Sequence, residues 1–130
     1  MANPNIINAN VIFGITTYYT PNTTANVVIV NNAASSANIY KINQVVIANT
    51  TGSAATANVF IYTNGAVGQG GAPAGGNAFP LISSVSIPGN ASLVAVDKST
   101  SFYLQEGTSL AIATGTANSL TFSTSYEAIY

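Results

Sequence analysis

Five side chains of this sequence are ionised at neutral pH: Lys41, Asp97, Lys98, Glu106 and Glu127. The chain contains no His and no Cys. Proton-transfer chemistry would have to start from those five residues. Without His or Cys, Ser-His-Asp and Cys-His arrangements cannot be built. A Ser-Lys couple is chemically open, since serines abound, but neither lysine has a Ser three residues before it. Lys98 follows Asp97 in an apparent turn, where a solvated pair is the simpler reading. A two-carboxylate glycosidase would need two of Asp97, Glu106 and Glu127 at a fixed separation, and nothing in their spacing favours any pair. Metal sites built on N or S ligands are excluded, and no EF-hand spacing offers a calcium loop. The sequence therefore predicts no catalytic, metal or cofactor-binding residue, no cofactor, and a protein that is not an enzyme. Glu106-Gly107 is expected to shape a turn. Glu127 is expected to face solvent or a neighbour.

The scarcity of charge is itself informative. Charged residues make up 4% of the 130 residues, against about a quarter in ordinary domains. A monomer of this mass exposes roughly 6,400 Å², so Asn, Thr, Ser, Gln and Ala must cover most of it. Such a surface repels itself weakly and associates readily. A standard interface of about 800 Å² per partner can be closed on it without desolvating a charge. Phosphate recognition is largely the work of Lys and Arg; two lysines and no arginine make nucleic acid an unexpected partner. No apolar run approaches the roughly eighteen residues of a spanning helix, so no membrane partner is expected. The N-terminus lacks the basic segment of a signal peptide. The sequons at Asn22, Asn49 and Asn90 then read as by-products of Asn and Thr richness.

Positioning falls to strands. Residues 11–19, 39–49, 58–63, 79–87, 93–97 and 120–126 alternate or run apolar, with shorter runs at 27–30, 102–104 and 110–112. Pro, Gly, Asn and Ser punctuate them at spacings of about 8–12 residues, and no helical periodicity exceeds one turn. The expectation is an all-β chain forming a single antiparallel β-sandwich, jelly-roll or Ig-like, with eight to nine strands and no substantial helix. In residues 39–49 the apolar set changes faces near Asn43 to Val45, which marks a bulge or a change of sheet. Val27-Val-Ile-Val-Asn-Asn echoes Val45-Val-Ile-Ala-Asn-Thr, each followed by a small-residue loop and a further strand. Two similar hairpins or chance in a biased composition would both produce the echo.

Residues 1–10, Asn-rich with Pro4, read as an extended N-terminal arm, and residues 11–130 as the sandwich domain. Residues 64–78 hold six of the eleven glycines and read as a long surface loop. They lack the Lys and Ser/Thr of a phosphate-binding loop. Phe13, Phe60, Phe79, Phe102 and Phe122 all fall on strands and read as core. Tyrosines are enriched at interfaces. The interface set expected from the sequence is Ile6 and Ile7 in the arm with Tyr18, Tyr19 and Tyr130.

Residues 81–98 (Leu-Ile-Ser-Ser-Val-Ser-Ile-Pro-Gly-Asn-Ala-Ser-Leu-Val-Ala-Val-Asp-Lys), the following Phe102-Tyr-Leu-Gln-Glu-Gly-Thr-Ser-Leu and the closing Ser125-Tyr-Glu resemble small virion structural proteins of tailed bacteriophages, especially those of marine cyanobacteria. Lys41-Ile-Asn-Gln-Val-Val-Ile-Ala-Asn-Thr-Thr-Gly-Ser-Ala-Ala-Thr fits the same pattern, so the resemblance spans roughly residues 39–127. Its motifs are turns and strands. The resemblance implies a β-sandwich that cements or decorates a capsid, or sits in a tail; the low charge and the glycine-rich loop depart from it. The first expectation is a capsid cement or decoration protein in the virion, on the capsid surface. Its partners would be other virion proteins, the major capsid protein foremost, and it would form a homo-oligomer, with a trimer as one candidate state. The alternatives are a tail fibre or baseplate module that binds a host surface, and a filament subunit whose arm adds a strand to its neighbour's sheet.

Overall fold

Alternation and turn chemistry become nine strands in the computed structural model, which describes residues 10–130. They are β1 (Ile12–Tyr19), β2 (Val27–Asn32), β3 (Ile39–Asn49), β4 (Ala55–Tyr62), β5 (Ala78–Ile87), β6 (Ser92–Val96), β7 (Phe102–Leu104), β8 (Thr108–Thr114) and β9 (Leu120–Ile129). Among the described residues helix is confined to one 3-10 turn, Lys98–Thr100. One sheet has the order β1-β9-β3-β6, with β7 also paired to β3; the other has the order β2-β8-β4-β5. Every pairing is antiparallel.

With the three-residue β7 set aside, these two interleaved four-stranded sheets have the jelly-roll order. An immunoglobulin order would place the first two strands in one sheet; here β1 and β2 lie in different sheets. The core is the apolar layer between the sheets. Ile42, Val45, Ile47 and Phe122 come from the first sheet, and Ile29, Val59, Leu110 and Ile112 from the second. Burying each such side chain contributes about 1.5–3 kcal/mol.

The face change in β3 is a bulge. Its register with β9 slips between Ile42 and Gln44. The extra residue, Asn43, lets Ile42 and Val45 both point inward, where each is fully buried. β3 stays in one sheet throughout.

The echoed segments do not form hairpins. β2 and β3 belong to opposite sheets, and so do β3 and β4, so each connection arches over an end of the sandwich. What the two arches share is a buried asparagine. Asn32 donates from Nδ2 to the carbonyls of Asn38 (2.9 Å) and Leu104 (3.0 Å). Asn49 donates to the carbonyls of Ser53 (2.8 Å) and Ile87 (3.0 Å), and its Oδ1 accepts from the N–H of Thr51 at 3.0 Å. In the echo, Asn49 aligns with Asn31. A register slip in β2 between Val28 and Val30 turns Asn32 inward in its place.

The phenylalanines divide. Phe122 is fully buried and Phe60 and Phe102 half-buried, whereas Phe13 and Phe79 are 52% and 57% exposed. The expectation that all five form core fails for those two. β1 and β5 are outermost strands, and an edge position leaves an aromatic without a covering neighbour.

Candidate functional site

The glycine-rich segment is a fitted cover. Gly70 donates to the carbonyl of Val28 at 2.8 Å, and Val28 donates to the carbonyl of Gly71 at 2.9 Å. The loop thus pairs with the outer edge of β2. Asn31 holds the Gly65 carbonyl through Nδ2 at 3.0 Å, and Ser109 holds the Asn64 carbonyl through Oγ at 2.9 Å. Gly65 lies so close to β2 that a methyl group there would overlap the carbonyl oxygen of Asn32. Farther along, Gln69 reaches across to β1 and donates from Nε2 to Thr17 Oγ1 (2.8 Å) and to the Tyr18 carbonyl (3.2 Å).

Four of the exposed large apolar or aromatic side chains, Ile12, Phe13, Ile15 and Tyr18, lie on β1. Val11 and Tyr130 exchange main-chain hydrogen bonds, at 2.7 Å from the Val11 N–H and 3.0 Å from the Tyr130 N–H. The ladder then runs through eight pairs, from Ile12 opposite Ile129 to Tyr19 opposite Phe122, without a slip. Antiparallel pairs alternate in hydrogen bonding, so Phe13, Ile15, Thr17 and Tyr19 bond to β9. Ile12, Gly14, Thr16 and Tyr18 aim their N–H and C=O groups away from it, and the Gln69 contact with the Tyr18 carbonyl agrees with that parity. The side chains of Phe13 and Ile15 share the inner face with Ala128 and Tyr126, their partners on β9. They are nonetheless 52% and 38% exposed, and neither packs against the core cluster. The Phe13 and Tyr130 rings meet there at 6.0 Å and 50°, forming an apolar ledge.

The residues expected at an interface are distributed as follows. Tyr18 stands out from β1 at 72% exposure, and Tyr130 is on the ledge. Tyr19 is half-buried against the core, with its ring under Gly70, and has little surface to offer a partner. Ile6 and Ile7 lie outside the described residues. Ile12, Phe13 and Ile15 escaped the sequence reading, since alternation cannot tell an outermost strand from a central one.

Four of the five ionised groups have an opposite-sign neighbour. Lys41 and Glu127 face each other across β3 and β9, and Asp97 precedes Lys98. Asp97 caps the 3-10 turn: its Oδ1 accepts from Ser99 Oγ at 2.6 Å, Ser99 N–H at 2.9 Å and Thr100 N–H at 3.2 Å. Those bonds, the Ser99 hydroxyl first, hold its carboxyl below the usual range. Gly107, with φ +75°, makes the turn between β7 and β8 beside Glu106. On the inner face the Tyr126 and Tyr40 rings meet at 5.2 Å, tilted by 43°; burial, and then the neighbouring Tyr40, push the Tyr126 phenol above the usual value.

An open hollow of about 390 Å³ lies at the β3 bulge, lined by Asn43, Gln44, Asp97, Lys98 and Ser125. Its amides, hydroxyl and charged pair can hydrogen-bond a polar ligand. Asp97 is its one carboxylate, engaged in its cap, so the hollow does not present the carboxyl pair of a glycosidase. Among the described residues no three acids cluster to hold a metal ion, and no helix is long and apolar enough to cross a membrane. No protein-family model matches the chain, and no curated protein or solved structure matches it significantly.

Proposed function

We propose that this chain is a non-enzymatic structural protein of a virus particle, acting as a capsid cement protein at capsomer junctions. The observation that carries the reading is β1, an uncharged strand with Ile12, Phe13, Ile15 and Tyr18 exposed along it. Five ionised side chains on 6318 Å² of accessible surface, four of them beside an opposite charge, let a neighbour be docked with little charge desolvation. The resemblance of residues 39–127 to virion proteins of tailed bacteriophages supports the particle, with the major capsid protein as partner. Jelly rolls also serve in viral coats, an analogy of architecture alone. The test is stoichiometry joined to depletion. Copies should match the number of capsomer junctions, and particles lacking the protein should lose resistance to heat and osmotic shock. Depleted particles as robust as intact ones would refute the cementing role.

The polar hollow favours a second reading, a tail module that binds a host-surface glycan. Amide and hydroxyl groups beside a charged pair suit sugar hydroxyls. Here copies should match the tail, and Gln44→Ala should weaken adsorption to the host without changing particle robustness. The glycine-rich loop is bound to β1 and β2, and none of its residues lines the hollow.

A further inference from the structure

We infer that the free edge of β1 pairs antiparallel with the same edge of a second copy of this chain, about a two-fold axis through Gly14. The inference rests on the reading of the chain as an assembly subunit, but not on which particle contains it.

The four sheet edges are not equivalent. An exposed edge invites pairing unless it is short, bulged, interrupted by proline or covered. β2 is covered by Gly70 and Gly71. β5 slips twice against β4, carries Pro80, and holds Ser84 at φ +52°. The edge beyond β3 is divided between β6, which slips between Val45 and Val46, and the three-residue β7. β1 alone has eight pairs in unbroken register, with no proline and no charge. Among the described residues nothing pairs with its outer side before Tyr18.

The same edge is self-complementary. With Gly14 opposite itself, Ile12 stands opposite Thr16 of the second copy, and Thr16 opposite its Ile12. These are the residues whose N–H and C=O groups face outward, so the pairing forms about six main-chain hydrogen bonds. Phe13 then falls opposite Ile15 of the second copy in a non-hydrogen-bonded pair. Side chains approach most closely in such pairs, and aromatic with β-branched is a favourable combination. The two ledges join into one apolar strip. Beyond Thr16 the Tyr18 carbonyl is taken by Gln69, which limits the pairing to the central segment. Charge does not oppose it: Glu127, beside Gly14 on β9, has Lys41 opposite on β3. Glycine weakens a strand and often marks close approach of another backbone. Among the described residues nothing calls for one at position 14, where an added methyl would meet no atom within 4 Å.

The test is sedimentation of the purified full chain over a wide concentration range, with a self-association expected. Gly14→Pro removes an outward N–H and leaves the β9 ladder intact, so it should raise the dimer dissociation constant about tenfold or more. Gly14→Lys sets like charges against each other at the axis and should do the same, with thermal unfolding showing that both variants fold. Because the chain lacks cysteine, Gly14→Cys should oxidise to a covalent dimer, the paired Cα atoms lying about 5.5 Å apart. Val94→Cys on β6, 53% exposed, should not. A monomer at every concentration overturns the inference, and so does a dimer indifferent to Gly14→Pro and Gly14→Lys. Association lost on deleting residues 1–9 but kept in Gly14→Lys would assign the pairing to the arm and overturn it as well. Each of these outcomes leaves the particle-depletion test of the cement role standing.

Discussion

The N–H of Gly70 donates to the carbonyl of Val28 at 2.8 Å, and that bond closes the edge of β2. It depends on Gly70 holding φ +86°, a left-handed conformation in which a side chain is strained. A methyl group there would also approach Tyr19 Oη to 3.4 Å. Gly70→Ala should destabilise the fold by about 1–2 kcal/mol in denaturant unfolding. It should speed hydrogen exchange at the Val28 amide more than at amides of β8. Unchanged protection at Val28 would show that the loop does not seal this edge.

The buried asparagines at the arches should rank among the most sensitive polar positions. Asn49→Ala leaves the buried carbonyl of Ile87 without its donor and should cost about 2–3 kcal/mol. Asn49→Asp should cost more at neutral pH, since a carboxylate would face the carbonyls of Ser53 and Ile87. Asn31→Ala, which gives up a part-buried bond to Gly65, should cost about 1 kcal/mol. Chemical denaturation of the three variants gives the order.

Two phenylalanines that both fall on strands should behave oppositely. Phe122→Ala empties a fully buried site between the sheets and should cost about 3–5 kcal/mol. Phe13→Ala, at a half-exposed ledge, should cost the isolated monomer under about 1 kcal/mol. Melting curves of the dilute proteins separate the two effects.

Stability should fall on both flanks of the pH range. The Asp97 carboxyl lies below its ordinary value of 3.8 in the fold. Its contribution is therefore present above that value and lost as pH falls through the lowered one. Tyr126 lies above its ordinary 10.0. Its contribution is full below 10.0 and lost as pH rises through the raised value. Melting temperature against pH should lose part of its acid slope in Asp97→Asn and part of its alkaline slope in Tyr126→Phe.

Much of the fold was legible in the sequence because its signals are local. The face change near Asn43 to Val45 announced a bulge or a change of sheet, Glu106-Gly107 announced a turn, and the turn residues gave strand ends within a few positions. The hairpin reading of the echo failed at its partners. Alternation shows that residues 27–32 and 39–49 are strands, but not that they lie in opposite sheets. The candidate surface was half visible. Tyr18 and Tyr130 were expected at an interface, while Ile12, Phe13 and Ile15 were indistinguishable from core.

By itself the sequence determined an all-β chain, nearly free of charge, without His or Cys and so without Ser-His-Asp, Cys-His or N- and S-ligand metal chemistry. Those properties follow from residue types and from period-two spacing. Tertiary structure alone decided the jelly-roll order, the seal that Gly70 and Gly71 place on β2, and the open edge of β1 with the Phe13 and Tyr130 ledge. The physical reason is sequence distance. Whether a strand's N–H and C=O groups are satisfied depends on partners far along the chain, as when Gly70 meets Val28 and Tyr130 meets Val11, and no local pattern records them.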